Sequence, residues 1–163
     1  MKVLTFSKSF PKGHPKAGEP THFVQKILHS QTWPVHPITN IGWPPKHHTI
    51  RAGSRWKVGD MASLRIWSGL PYRSKQIEFA QVEVKKVWEI EIYQNDEYWI
   101  FTLNGKKLTW DDLNVDQFIE ELAKNDGLTM PDFLNWFSIH PKKRENIFAG
   151  QIICWSDNIN YTP

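Results

Sequence analysis

A chain of 163 residues and 19.2 kDa is the size of one domain, and its single cysteine, Cys154, excludes an internal disulfide framework or a Cys-rich zinc site. The net charge of +3 and pI near 8.9 permit contact with nucleic acid without demanding it. No stretch approaches the ~18 uninterrupted apolar residues of a membrane span, and the N-terminal segment lacks the apolar run of a signal peptide, so a soluble, cytoplasmic protein with no membrane partner is expected.

Val3, Leu4 and Phe6 mark a first strand within residues 1–10, followed by a Pro-, Gly- and Lys-rich loop over 11–20. Thr21 is placed to cap a short helix reaching about Ser30, with Phe23 and Ile27 at helical spacing. Residues 31–45 carry Pro34, Pro37, Pro44 and Pro45, which forbid a long helix or central strand. They also carry Trp33, Val35, Ile38, Ile41 and Trp43, too many apolar groups for a disordered linker, so an ordered loop packed on the domain is expected.

Strands follow at 49–51 and 61–67, then a turn over 67–72. Residues 75–92 form a long β pattern with Val82, Val84, Val87 and Ile90 or Ile92 facing the core and a bend near Val87 and Trp88. A strand at 98–103 ends in the tight-turn pair Asn104-Gly105. Thr109 and Asp112 form a capping pattern for a helix with Leu113, Phe118, Ile119 and Leu122 on its apolar stripe, running to about Asn125 and ended by Gly127. Thr129 and Asp132 repeat the pattern for a second helix, ending near His140-Pro141. The run 147–155 is a closing strand, and Cys154 within it reads as an inert strand cysteine. These elements predict an α+β fold, a small β-barrel with two or three helices packed on it.

The stretch 46–60 concentrates the chemistry. Alternation puts Lys46, His48 and Ile50 on one face of a strand and His47, Thr49 and Arg51 on the other, and a single twist would bring Lys46 and Thr49 to one mouth. Arg51, Arg55, Lys57, Arg65, Arg73 and Lys75 also phase with Trp56, Trp67 and Tyr72, a pattern that suits stacked bases and paired phosphates. A solvated barrel face with its tryptophans turned inward accounts for the same residues. His36, His47 and His48 have no carboxylate or cysteine at ligand spacing, so neither a metal nor a cofactor is expected.

The Lys-x-x-Thr-x-Arg strand, the Gly59-Asp60 turn, the Leu-Arg-Ile-Trp strand and the step Asp126-Gly127-Leu128-Thr129 between two helices resemble the ASCH domain of the PUA-like superfamily. The resemblance spans nearly the whole chain, as one domain over 1–163 with a Pro/Trp-rich insertion at about 31–45. It implies a PUA-like β-pseudobarrel that binds RNA or a modified nucleoside or nucleotide in the cleft between barrel and helices. Lys46, Thr49 and Asp126 fall where one branch of the family is similar to amidohydrolases that deacylate N4-acetylcytidine with a Lys, a Thr and a Glu. In that reading Lys46 is the base, Thr49 the nucleophile or water-positioning group, and Asp126, one methylene shorter than the family's Glu, orients Lys46 or protonates the leaving amine. Arg51, or a backbone N–H, would steady the oxyanion. His48, Arg51, Arg55, Trp56, Lys57, Trp67, Tyr72 and Arg73 are the expected ligand contacts.

Two other readings stay open. Lys46, Thr49 and Asp126 also fit a strand-end lysine, a β-forming threonine and a helix-terminus carboxylate. A protein-interaction module using Trp33 and Trp43 would expose an apolar patch on the insertion. A monomer is expected.

Overall fold

The chain folds around two β-sheets that share a corner. The computed structural model describes residues 1–31, 42–108, 115–138 and 146–162. One sheet has three strands in the order β1 (Lys2–Phe6), β3 (Met61–Trp67) and β4 (Gln76–Glu83), with β1 parallel and β4 antiparallel to β3. The other has five, all antiparallel, in the order β2 (His48–Ala52), β8 (Asn146–Cys154), β5 (Lys86–Gln94), β6 (Trp99–Leu103) and β7 (Lys106–Leu108).

The long β pattern of 75–92 is divided between the sheets. Val84 and Lys85 make the corner: Val84 N–H donates to Asp60 O on one side, and Lys85 N–H to Cys154 O on the other. The bend therefore comes two to three residues before the predicted one. Val82 and Val84 are buried, and beyond the corner the buried positions are Trp88, Ile90 and Ile92, with Val87 only half-buried. Asn104 and Gly105, both at positive φ, close the β6–β7 hairpin, as that dipeptide favours.

Three helices pack on this framework. Thr21 Oγ1 accepts from Phe23 N–H at 3.4 Å and donates to Ser7 O, fixing the start of α1 (Phe23–Gln31) to the end of β1. The helix α2 (Val115–Asn125) buries Ile119 and Leu122. It ends where Gly127, at φ 77°, lets its own N–H reach Lys124 O while Leu128 N–H reaches Ala123 O. Thr129 Oγ1 accepts from Asp132 N–H and caps α3 (Met130–Phe137), whose Phe133 is fully buried. Thr109, Asp112, Leu113, Trp33, His36, His140 and the basic run 142–144 lie outside the described residues.

Beyond β8 the tail turns back onto the fold. Lys86 Nζ donates to Asp157 O and Ile159 O, and Tyr161 is buried at 4% exposure. No helix among the described residues is long and apolar enough to cross a membrane.

Candidate functional site

Lys46 is held from three directions before β2 begins. Its N–H donates to Lys26 O at the middle of α1, the next residue's N–H donates to Asn125 O at the end of α2, and His48 then pairs with Cys154 in β8. The side chain runs under Gly127 to the α2–α3 turn. A Cβ at position 127 would stand 3.1 Å from Lys46 Cβ and 3.3 Å from Lys26 Cδ, so glycine leaves the passage as well as allowing the positive φ. At the end of that path Nζ donates to Asp126 Oδ1 at 2.6 Å and to Asp126 O at 2.5 Å. The ammonium also lies over the Phe23 ring at 4.5 Å.

Lys46 is 1% exposed. Burial brings its pKa down to about 8, the charge and hydrogen bond of Asp126 offsetting part of that fall. Asp126 is subject to the opposite pull. Burial raises its pKa, but Lys46 and His48 together outweigh burial and leave the carboxyl below its ordinary value. Asp126 thus meets Lys46 twice, through its carboxylate and through its own backbone carbonyl.

His48, fully buried, continues the network. Its Nδ1 is 3.5 Å from Asp126 Oδ1, an ion-pair distance without a formed hydrogen bond, and its Nε2 is 2.8 Å from Tyr161 Oη. Asn125 Nδ2 donates to the same phenol oxygen at 2.9 Å. Burial lowers the pKa of His48, so the imidazole is neutral, while burial pushes the Tyr161 phenol well up. Five side chains from three segments form one buried polar chain: Lys46, Asp126, His48, Tyr161 and Asn125. Tyr161 and Asn125 carry no motif in the sequence. The only cue to Asn125 is its place beside Asp126 at a helix end, and the tail that bears Tyr161 has no periodicity.

Thr49 points the other way along β2, as alternation requires. It is 4% exposed, and its hydroxyl makes no hydrogen bond to Lys46, Asp126 or any other described residue. Arg51, on the same face as Thr49, donates from Nη2 to Thr5 O at 2.6 Å and lies 5.2 Å from the Phe6 ring centre. Lys46 Nζ stands 6.0 Å from that same ring, so both cations lie near Phe6. Arg51 Nε is buried without a partner among the described residues, and burial draws the guanidinium pKa down. The lysine–carboxylate half of the predicted trio is assembled. The threonine stands apart from it.

The predicted ligand contacts divide into two groups. Trp56 is buried at 3% exposure, its backbone N–H and C=O both bonded to the Gln151 amide, with Lys2 and Arg55 each 5.4 Å from its ring centre. It is a core tryptophan clasped by cations, and no base can stack on it. Arg55 and Lys57 beside it are exposed. Trp67, Tyr72 and Arg73 lie at the other end of β3, where Trp67 and Tyr72 meet at 5.2 Å and Tyr72 is 90% exposed. Seven residues of β3 separate the groups by roughly 20 Å. Trp43 stacks on His22 at 4.4 Å, and His29 Nδ1 lies 2.9 Å from its carbonyl oxygen.

Cys154 is buried, and burial raises its thiol pKa to about 11, which suits a packing residue. Among the described residues no three His, Cys, Asp or Glu gather into a metal-sized group. No protein-family model, curated protein or solved structure matches this chain.

Proposed function

We propose that this chain is an ASCH-type domain of the PUA-like class that holds RNA, or a modified nucleoside or nucleotide, where β2 meets the α2–α3 turn. One observation carries the reading. A lysine 1% exposed is paired with a carboxylate 7% exposed inside a polar chain that reaches Tyr161. A buried ion pair adds little net stability over apolar side chains of similar volume. Strongly perturbed, coupled groups of this kind gather at functional sites. The Lys-x-x-Thr-x-Arg order supplies the family to which such a site would belong. The test is a titration with ribonucleosides and a short single-stranded RNA at two salt concentrations. Saturable binding supports the reading; a fall in affinity with salt marks phosphate contacts and hence RNA, and salt-independent binding marks a nucleoside. Absence of binding by every probe at millimolar concentration refutes it.

A second reading, an amidohydrolase acting on N4-acetylcytidine-like nucleosides, is favoured by the state of Lys46. With its pKa brought to about 8, a sizeable fraction of the amine is neutral near that pH and able to take a proton. Thr49, whose hydroxyl is uncommitted, stands three residues further along the chain, in β2. Incubation with N4-acetylcytidine and chromatography for cytidine decides this reading. Turnover abolished by both Lys46→Ala and Thr49→Ala supports it, and no turnover at high enzyme concentration excludes it for that substrate.

A further inference from the structure

The opposite end of β2 from Lys46 opens on a pocket of about 410 Å³ between the five-stranded sheet and the last turn of α3. Neither Lys46, Thr49 nor Asp126 lines it. The floor comes from Ile92, Gln94, Trp99 and Phe148, which register places on one face: Ile92 opposite Phe148 and Gln94 opposite Trp99. Trp136 and Phe137 of α3 form the facing wall.

These walls are braced from behind. Phe137 meets Phe148 edge-on at 5.1 Å and Phe133 at 4.9 Å; Trp136 meets Phe10 at 5.9 Å and Phe23 at 5.8 Å. Trp99 lies nearly parallel to Phe101 at 6.2 Å. The chamber is therefore pre-formed rather than assembled on demand. Its volume falls within the roughly 300–1,000 Å³ of small-molecule sites.

Between these aromatic walls Gln94 Oε1 is buried and has no hydrogen-bond partner among the described residues. A buried acceptor left unpaired is destabilising, and Leu at that position would avoid the penalty. An amide acceptor among indole and phenyl groups suits a flat ring that presents an N–H. Arg51 also lines the pocket: its Nη2 is committed to Thr5 O, while its buried Nε has no partner among the described residues and adds a donor to the Gln94 acceptor.

We infer that this pocket receives the base of a nucleoside or nucleotide, its N–H edge on Gln94 Oε1 and its ring against Trp99 and Trp136. The inference rests on the nucleotide reading above; because the pocket lies at the far end of β2 from Lys46, roughly 15 Å along an extended chain, the base held here is a different one from any held beside Lys46, as successive nucleotides of one RNA would supply. It also supplies the aromatic platform that Trp56, being buried, does not.

The test is calorimetric titration of wild type and Gln94→Leu with cytidine, uridine, adenosine, guanosine and a single-stranded RNA octamer, with Tm measured on each. Trp99→Ala serves as a second variant. The expected result is binding of at least one probe that weakens about ten-fold or more in Gln94→Leu, the loss of one hydrogen bond to a buried group, while Tm holds or rises. Binding unchanged in Gln94→Leu and Trp99→Ala would overturn the pocket and leave the nucleotide reading standing. A fall in Tm alongside the lost affinity would show Gln94 to be structural and would also overturn the assignment. Failure of every probe to bind wild type would overturn both.

Discussion

Replacing Lys46 by Met tests whether the ion pair at the centre of the site is held for stability or for something else. Methionine fills most of the lysine's path under Gly127 but strands the Asp126 carboxylate, which is 7% exposed, with only the His48 imidazole 3.5 Å away. Removing one partner of a buried pair costs about 3–5 kcal/mol. His48 is able to take up a proton and relieve part of that, so the lower end, about 3 kcal/mol, is expected. With a urea m-value near ~2 kcal/mol/M for a domain of this size, the midpoint falls by ~1.5 M. The double variant Lys46→Met/Asp126→Asn removes both charges and keeps an amide beside His48. Its stability should return to within about 1 kcal/mol of wild type, because two neutral groups need no mutual compensation. Urea denaturation of the four members of the cycle, followed by tryptophan fluorescence, measures this directly. A loss below about 1 kcal/mol in the single variant would mean the carboxylate is solvated, contrary to its burial. A double variant as unstable as Lys46→Met would mean the pair is a structural necessity, and the functional argument built on it would fail.

Three further outcomes follow from the same geometry. In the fold Lys46 titrates near 8 against an ordinary 10.5, so between those values the unfolded chain binds more protons and stability rises with pH. That rise, up to about 3 kcal/mol, should appear in wild type minus Lys46→Met when both are unfolded in urea at pH 7 and pH 10.5; a flat difference contradicts the burial of the ammonium. Tyr161→Phe removes the oxygen that joins Asn125 to His48, and leaving those groups unpaired should cost about 1–3 kcal/mol, read as a lowered Tm; an unchanged Tm would detach the tail from the network. A Cβ at Gly150 would lie 2.1 Å from Arg51 O, a backbone atom of the paired strand, so Gly150→Ala should force β2 off β8 and cost about 3 kcal/mol or more, whereas near-wild-type unfolding would contradict that strand pairing.

Much of this architecture was readable from local patterns. The Met61–Trp67 strand, the Asn104-Gly105 hairpin, the Gly127 helix end and the Thr129 cap are each specified by residues close in sequence, and each stands where those residues put it. The corner of the long β pattern was misplaced by two to three residues because the hydrogen bonds that make it come from Asp60 and Cys154, remote in sequence. The same limit governs the site. Lys46 and Asp126 were found together only through the family resemblance, since 80 residues separate them. Tyr161 and Asn125 carry no pattern at all, because a polar group is recruited to a network by where the chain passes and not by its neighbours. Trp56 shows the converse error: interleaved Arg and Trp suggest a stacking surface, but the indole is buried at 3% exposure and Gln151, 95 residues away, ties down the backbone that carries it.

The most direct test of the central claim is an NMR titration of ¹⁵N-labelled protein with the four ribonucleosides and then with a single-stranded RNA octamer. The account predicts saturable shifts at the amides of Lys46 to Arg51 and of Asp126 to Thr129. No shift at millimolar ligand, or shifts confined to the exposed Tyr72 and Arg73 turn, would contradict it.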